Sequence, residues 1–274
     1  MKLLNGQDLA NYIQERQTRE VQVLRQTWHI VPKLAIIQMT DNPIITTYVN
    51  LKKRYGVDIS IDVAVHRVSQ TETPKLIEQL NGDTSVHGII VQLPLEDPSQ
   101  TDEIVNLVAP DKDVDALGKS AQFDPATPMA IMWLLAGYNI DLLGKKILLI
   151  GRGKLVGAPL ERVLKASGLD VETVGREVND LSSHTKNADI IITATGSPAI
   201  LLANMIKEKA IVVDAGVASE SGKMIGDLAP DVYEREDLTV TPKRGGVGPL
   251  TICALSENVI KAASRVATKQ TEIG

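Results

Sequence analysis

Aromatic residues and cysteine are scarce in this sequence. Only 3% of the 274 residues are aromatic, with one phenylalanine, Phe123, and one cysteine, Cys253. A single cysteine excludes a disulfide framework and a cysteine-based zinc site, and the four histidines lack the spacing of metal ligands. Without aromatics, the core must consist of Ile, Leu, Val and Ala, which suits a parallel sheet covered by helices.

Long apolar runs and long basic runs are also missing. No stretch of about 18 apolar residues occurs, so we expect no membrane-spanning helix. Residues 1–14 lack the apolar core and the cleavage site of a secretory signal peptide, so we expect none. The net charge of −5 disfavours nucleic-acid binding, which requires a positive surface. These absences favour a cytoplasmic enzyme or binding protein.

Apolar runs of strand length alternate with helical patterns, which predicts βαβ units and mainly parallel sheets in an α/β protein. A passage rich in Pro, Asp and Gly at 110–128 divides two such series, and Gly56 is expected to close the first helix. Strands are predicted at 31–39, 59–68, 86–95, 145–151, 170–175, 188–196, 210–216 and 238–242, and helices at 42–54, 73–82, 101–110, 128–140, 156–168 and 249–270.

A glycine-rich loop separates the predicted strand at 145–151 from the helix at 156–168. Gly151, Gly153 and Gly157 would allow a tight turn and a close approach of phosphate to free helix N–H groups. The spacing G-x-G-x-x-x-G is one residue longer than the usual motif, and an ordinary glycine-bearing turn is the alternative. The position between strand and helix favours a dinucleotide site.

Charges near this loop favour NADP over NAD. NAD enzymes usually place an acidic residue at the end of the next strand, where it binds the ribose 2′-hydroxyl. Here that strand ends at Gly175 and Arg176, and Arg152 lies in the loop. Guanidinium groups suit a 2′-phosphate, although both arginines could be solvated surface charges. Glu177 follows directly and could turn inward instead.

Tyr48 and Lys52 are four residues apart on a predicted helix and therefore share one face. The helix follows a strand, so this face could overhang the carboxyl edge of a sheet, where ligands of α/β proteins bind. A lysine in a half-closed cleft has a lowered pKa and can transfer protons near neutral pH. Taken alone, Lys52 is more simply interpreted as a surface lysine.

Six stretches carry specific motifs in a fixed order. They are Y-V-x-x-K at 48–52, V-x-G-I-x-V-Q-L-P-L at 86–95, P-x-K-D-V-D at 110–115, P-A-T-P at 125–128, G-R-G-x-x-V-G-x-P at 151–159 and G-G-V-G-P-x-T at 245–251. Together they resemble the bifunctional methylenetetrahydrofolate dehydrogenase/cyclohydrolase family, over nearly the whole chain and in the family's order.

The resemblance implies a folate-binding catalytic domain at 1–122 plus 252–274, with a mainly parallel sheet, and a Rossmann-like NADP-binding domain at 123–251. The last helix would return to the first domain. The implied activity is oxidation of 5,10-methylenetetrahydrofolate to 5,10-methenyltetrahydrofolate with NADP, and hydrolysis to 10-formyltetrahydrofolate. It also implies a homodimer, no metal site, and a role in one-carbon metabolism and purine biosynthesis.

The resemblance assigns roles to individual residues. Lys52 would transfer protons during hydrolysis, and Gln92 would orient and polarise it. Tyr48 would stack on or hydrogen-bond the substrate, and Asp115 would accept hydrogen bonds from the pterin. Further substrate contacts are assigned to Leu93, Pro94, Gly245 and Gly246, and cofactor contacts to Gly151, Arg152, Gly153, Val156, Gly157, Arg176, Thr195, Gly196, Gly216, Gly248 and Thr251.

The sequence departs from the family pattern at several positions near the expected site. Lys243 and Arg244 stand where the family has Val-Pro, Ala116 replaces a glycine, and Ile45 replaces a serine. Retention of only one activity, or a non-catalytic NADP- or folate-binding protein, are therefore alternatives. The motif order argues against a dinucleotide dehydrogenase of another kind, such as a shikimate- or amino-acid-type enzyme.

Overall fold

The chain forms two compact units in a computed structural model that describes residues 1–216, 218–220 and 223–273. We call residues 11–126 and 252–273 the three-stranded unit, and residues 1–10 and 127–251 the six-stranded unit. The predicted α/β fold with parallel sheets is confirmed. The strands are β1 (Lys2–Leu3), β2 (Lys33–Gln38), β3 (Asp62–Arg67), β4 (Gly88–Val91), β5 (Ile147–Ile150), β6 (Val171–Val174), β7 (Ile190–Thr193), β8 (Ile211–Asp214), β9 (Ala218–Glu220), β10 (Lys223–Ile225) and β11 (Thr239–Val240). The helices are α1 (Gly6–Thr27), α2 (Pro43–Asp58), α3 (Thr73–Gly82), α4 (Thr101–Val105), α5 (Ala126–Gly137), α6 (Gly157–Ala166), α7 (Leu181–Thr185) and α8 (Val247–Ile273).

The sheet of the three-stranded unit has the order β3-β2-β4, and both strand pairs are parallel. The central strand β2 is an apolar run in which Ala35, Ile36 and Ile37 have no exposed surface, as expected for a parallel strand covered on both faces. Ile37 lies opposite Val91. The carboxyl ends of β2 and β4 therefore meet at one edge of the sheet.

Helix α2 begins at a well-formed cap and runs past the glycine that was expected to end it. The Asn42 side chain accepts a hydrogen bond from the Ile44 N–H at 2.8 Å, and Pro43 occupies the first turn. The prediction that Gly56 closes this helix is wrong, because α2 continues to Asp58. A Cβ at Gly56 would lie 2.4 Å from Val63 Cγ2, so the glycine permits close packing of α2 on β3.

The sequence patterns predict no helix before residue 31, whereas α1 is 22 residues long. Its buried residues include Ile13, Val21 and Leu24, which follow helical spacing, but Gln17 interrupts the apolar pattern. Gln17 is fully buried, and its amide donates to the Cys253 carbonyl of α8 at 2.9 Å. A polar residue with buried partners thus occupies a core position of α1.

The sheet of the six-stranded unit has the order β1-β11-β8-β7-β5-β6, with all neighbours parallel. Ile150 lies opposite Thr193, and Thr193 lies opposite Asp214, so β5, β7 and β8 end at one edge. The glycine loop after β5 leaves from this edge, which is where α/β proteins bind nucleotides. The edge strand β1 was not predicted because two residues carry no periodicity.

Two elements are short. β9 and β10 pair as an antiparallel ribbon. Helix α4 is five residues long, about half the predicted helix at 101–110.

Within the described ranges, no helix has both the length and the apolar character needed to cross a bilayer. The same residues contain no group of three or more His, Cys, Asp or Glu side chains arranged to hold a metal ion.

Candidate active site

Lys52 and Gln92 lie at the centre of a polar site in the three-stranded unit. Lys52 is in the second half of α2, and Gln92 follows β4 at the carboxyl edge of the sheet. The Lys52 Nζ donates to Gln92 Oε1 at 2.9 Å. The Gln92 side-chain amide donates to the Leu93 carbonyl at 3.0 Å, and its backbone N–H donates to the Ile37 carbonyl at 2.9 Å. These bonds fix the glutamine with its oxygen towards the lysine.

Burial lowers the pKa of Lys52 below its ordinary value, because an ammonium group is stabilised by water. The negative charge of Asp115 raises this pKa and offsets part of the effect of burial. Asp115 therefore lies near enough to act on the lysine, and the fold brings Lys52, Gln92 and Asp115 to one place. A lysine with a lowered pKa can both accept and return a proton near neutral pH.

Tyr48 lies one turn before Lys52 on α2, on the same face of the helix. It is half-buried, and burial raises the pKa of its hydroxyl group, so the tyrosine stays protonated at physiological pH. Ile45, one turn earlier, is 5% exposed and belongs to the core. Of the other residues assigned to the substrate, Leu93 is half-buried and Pro94 is exposed, and the peptide bond between them is cis.

Asp113 and Asp115 of the P-x-K-D-V-D stretch occupy different environments. Asp113 is 3% exposed and accepts hydrogen bonds from the backbone N–H groups of Gly118 at 2.7 Å and Leu117 at 3.4 Å. Burial is the main influence on the pKa of Asp113 and raises it. Asp115 is partly exposed and can reach a ligand. Asp113 therefore shapes the loop from which Asp115 projects.

Ala116 follows Asp115 in a left-handed backbone conformation, with φ at +55°. This region favours glycine because a Cβ crowds the following carbonyl. From α8, Asn258 donates to the Val114 and Asp124 carbonyls, each at 2.9 Å, and anchors both sides of the loop. The loop therefore keeps its shape although a residue with a side chain occupies the strained position.

The glycine loop of the six-stranded unit has the close backbone approaches that its sequence predicts. Gly151 has φ at +115°, and a Cβ there would lie 2.5 Å from the Ala194 carbonyl oxygen. A Cβ on Gly157 would lie 2.0 Å from the Gly151 carbonyl oxygen, so both positions require glycine. Gly153 faces open space. No side chain caps α6 at Val156, but the Ala158 N–H donates to the Gly153 carbonyl at 3.0 Å and Pro159 has no N–H, so Gly157 supplies the N–H group that is open to a phosphate.

Arg152 is held at the carboxyl end of β6. Its Nη2 donates to the Thr173 carbonyl at 2.6 Å, and its Nη1 forms an ion pair with Glu177 Oε1 at 2.9 Å. Arg176 is exposed, and no hydrogen bond or ion pair to it occurs in the part of the chain that the structure describes. The Arg152 guanidinium group and the Glu177 carboxylate thus lie side by side at the end of β6.

Two aspartates that the sequence interpretation missed, the fully buried Asp227 and the half-buried Asp214, hold the neighbouring loops. Asp227 has no exposed surface and accepts hydrogen bonds from the N–H groups of Thr195 at 2.8 Å and Ser197 at 3.1 Å. Asp214 accepts from the Gly216 N–H at 2.9 Å, and burial is the main cause that raises its pKa. The signal was present, since Asp214 ends an apolar strand two residues before a glycine.

The stretch from Lys243 to Thr251 is tied to other parts of the six-stranded unit. Gly245 has φ at +79°, and its carbonyl accepts from the Gln7 N–H at 3.0 Å. Gly246 approaches Gly6 so closely that a Cβ on Gly6 would lie 1.8 Å from the Gly246 oxygen.

The Lys243 Nζ lies 4.9 Å from the centre of the Tyr233 ring, which is a cation–π contact. Gly248 is exposed in the first turn of α8, and the Thr251 hydroxyl donates to the Val247 carbonyl at 3.3 Å. The residues assigned from the sequence thus lie in both units, those between Tyr48 and Asp115 in the three-stranded unit and those between Gly151 and Thr251 in the six-stranded unit.

Comparisons with known proteins cover both units. Residues 4–115 match the family model of the tetrahydrofolate dehydrogenase/cyclohydrolase catalytic domain, and residues 125–267 match that of its NAD(P)-binding domain. The bifunctional protein FolD of a Nitratiruptor species is 37% identical over 278 residues, which cover 97% of this chain and 99% of that protein.

Two solved structures have nearly the same fold. The bifunctional FolD methylenetetrahydrofolate dehydrogenase/cyclohydrolase of Campylobacter jejuni is 38% identical with a TM-score of 0.90, covering 97% of this chain and 99% of that one. The Trypanosoma brucei methylenetetrahydrofolate dehydrogenase-cyclohydrolase, in complex with NADP and an inhibitor, is 26% identical with a TM-score of 0.90, covering 96% and 97%.

Proposed function

Because this chain belongs to the tetrahydrofolate dehydrogenase/cyclohydrolase family, we propose that it is a bifunctional enzyme of folate one-carbon metabolism. It oxidises 5,10-methylenetetrahydrofolate with NADP and hydrolyses the resulting 5,10-methenyltetrahydrofolate to 10-formyltetrahydrofolate. The observation that carries the proposal is the partly buried Lys52–Gln92 pair, at 2.9 Å, in which burial and Asp115 shift the pKa of the lysine in opposite directions. Relatives that match over nearly their full length carry the name of the bifunctional protein.

The residues of the glycine loop fit NADP. Gly151 and Gly157 allow a phosphate to approach the backbone, the start of α6 presents the Gly157 N–H, and Arg152 offers a guanidinium group for the 2′-phosphate. When bound, NADP would supply the hydride acceptor for oxidation of the methylene carbon. The two nitrogens that flank this carbon stabilise the cation that remains, so the protein needs only to position the substrate, without a base. Contacts to the cofactor are proposed for Gly151, Arg152, Gly153, Val156, Gly157, Arg176, Thr195, Gly196, Gly216, Gly248 and Thr251.

The hydrolytic step requires proton transfer, and Lys52 is the group that performs it. In its neutral form, Lys52 takes a proton from the water that attacks the methenyl carbon. The resulting ammonium group then returns a proton to the ring nitrogen as the carbon–nitrogen bond breaks, and the remaining hydroxyl loses its proton to solvent as the formyl group forms. Gln92 holds the lysine side chain in place through the bond to its Oε1. A lowered pKa suits both halves of this exchange.

Asp115 and Tyr48 hold the folate. The Asp115 carboxylate accepts hydrogen bonds from the pterin amino group and ring nitrogen, a pairing that a partly exposed carboxylate fits. The Tyr48 ring and hydroxyl contact the substrate beside Lys52. We assign the remaining substrate contacts to Leu93, Pro94, Gly245 and Gly246. We also propose that the protein is a cytoplasmic homodimer and that its product serves purine biosynthesis. Light scattering in solution tests the dimer.

The experiment that tests both activities uses two separate substrates. With 5,10-methylenetetrahydrofolate, the proposal expects NADP reduction that depends on the folate. With 5,10-methenyltetrahydrofolate alone, it expects hydrolysis faster than in buffer. Reduction without accelerated hydrolysis would leave a dehydrogenase only, and the absence of both would leave a binding protein.

A further inference from the structure

Glu177 turns back over the end of β6 and neutralises the arginine of the glycine loop. Its Oε1 lies 2.9 Å from Arg152 Nη1 and accepts the Gly175 N–H at 3.2 Å. A Cβ on Gly175 would lie 2.5 Å from Glu177 Oε2, so the glycine makes room for this fold-back. Arg152 is held from its other side by the Thr173 carbonyl at 2.6 Å. The carboxylate and the guanidinium group are therefore paired with each other, and each is hydrogen-bonded to the backbone at the end of the strand.

This position is where nucleotide-binding sheets recognise the adenosine ribose. An acidic residue about 20 residues beyond the glycine loop binds the 2′-hydroxyl in NAD enzymes, whereas an arginine accommodates the 2′-phosphate in NADP enzymes. Glu177 comes 20 residues after Gly157, and Arg152 is beside it. The chain therefore places both recognition groups, which favour opposite cofactors, at the same site.

We infer that Glu177 is a selectivity residue that weakens the preference of the site for NADP over NAD. This inference rests on the proposed use of a dinucleotide. A 2′-phosphate must displace the carboxylate from Arg152 and then remain near its negative charge. The bare 2′-hydroxyl of NAD meets no such repulsion and finds an acceptor in the carboxylate. Both side chains are more than half exposed, at 57% and 56%, so the carboxylate can rotate away when the phosphate binds.

The test is the ratio of two binding affinities, measured by isothermal titration calorimetry on the full chain. The probes are adenosine 2′,5′-bisphosphate, which carries the 2′-phosphate, and AMP, which lacks it. Repulsion between a carboxylate and a phosphate dianion about 5 Å apart in water corresponds to roughly a tenfold change in affinity. Glu177→Gln is thus expected to raise the bisphosphate-to-AMP affinity ratio about tenfold.

Glu172→Gln is the matched control. Glu172 lies on β6, is equally exposed at 56%, and its Oε1 lies 2.6 Å from His184 Nδ1, away from Arg152. The substitution removes the same charge from the unit but leaves the Arg152 contact in place, so the affinity ratio is expected to stay within about twofold of the wild type. The shift expected of Glu177→Gln should also appear in the ratio of kcat/KM for NADP to that for NAD.

The outcomes separate the inference from the function on which it rests. An unchanged or lowered ratio in Glu177→Gln, an equal rise in Glu172→Gln, or no binding of either probe would overturn the selectivity role. If the probes bind with the expected ratios but neither NADP nor NAD is reduced with methylenetetrahydrofolate, the proposed oxidation fails while the selectivity role stands.

Discussion

Replacing Lys52 with methionine isolates the proton transfer that the proposed hydrolysis needs. Methionine keeps an unbranched apolar stem and removes the ammonium group that donates to Gln92. Proton transfer by a positioned side chain typically contributes about 10²–10⁴-fold to a rate. We therefore expect Lys52→Met to slow the hydrolysis of methenyltetrahydrofolate by roughly that factor. NADP binding should not change, because the glycine loop belongs to the six-stranded unit.

The variant is expected to remain folded. Loss of the 2.9 Å bond leaves the Gln92 oxygen without its partner, which costs less than the roughly 1–3 kcal/mol of a fully buried acceptor because the pair is only partly buried. Removal of the Lys52 ammonium group acts in the opposite direction and raises the free energy of unfolding, because burial disfavours this charged group. The net change in the free energy of unfolding should therefore be less than about 2 kcal/mol, measured by denaturant titration.

The pH dependence of the rate gives the most specific readout. Hydrolysis by the wild type should rise with pH as Lys52 loses its proton, and should do so below the pH expected of an ordinary lysine, because burial lowers its pKa. The assay is the loss of methenyl absorbance across a pH series, corrected for hydrolysis in buffer. Lys53→Met, which changes the exposed neighbour on α2, is the control and should match the wild type. Hydrolysis by Lys52→Met within about threefold of the wild type, with the same pH profile, would refute the assigned role.

Three other substitutions test the surrounding structure. Asp115→Asn removes the charge that raises the pKa of Lys52, so the rising limb of the same pH profile should move to lower pH; a shift to higher pH would contradict this. Ala116→Gly relieves the left-handed backbone strain, and the greater conformational entropy of glycine in the unfolded chain offsets part of this gain. The free energy of unfolding should rise by about 0.5–1 kcal/mol, which is roughly 2 °C in melting temperature in a calorimetric scan. Asp227→Asn weakens the hydrogen bonds that hold Thr195 and should raise the Kd for NADP by about tenfold in a titration, while methenyl hydrolysis stays unchanged; equal loss of both would indicate unfolding instead.

The sequence predicts most of the regular structure because apolar runs of strand length alternate with segments of helical spacing. β2 and α3 were expected close to where they occur, since a buried parallel strand and an amphipathic helix both leave clear patterns. Helix α1 escaped prediction because Gln17 breaks its apolar face, and only the tertiary contacts show that Gln17 has buried partners. Gly56 was expected to end α2 because the local sequence does not show what this glycine packs against. Its packing against Val63 depends on a strand that lies later in the chain.

The candidate site was predictable only in part. The helical spacing of Tyr48 and Lys52 and the family motifs indicated the chemistry of the three-stranded unit, but the 2.9 Å contact with Gln92 depends on how α2 lies beside β4. The pairing of Arg152 with Glu177 is likewise visible only in the folded chain. In the sequence, the arginine alone favours NADP and the glutamate alone favours NAD. Sequence patterns identify which residue types are present, and the fold decides which of them meet.

The most direct test of the proposed bifunctional chemistry is one progress curve with the wild-type protein, 5,10-methylenetetrahydrofolate and NADP. Absorbance of the methenyl compound reports both steps, since oxidation forms it and hydrolysis removes it. If both activities are present, the methenyl signal stays low while NADPH and 10-formyltetrahydrofolate accumulate together. Accumulation of the methenyl compound at the rate of NADPH formation, with decay no faster than in buffer, would contradict the proposed bifunctional chemistry.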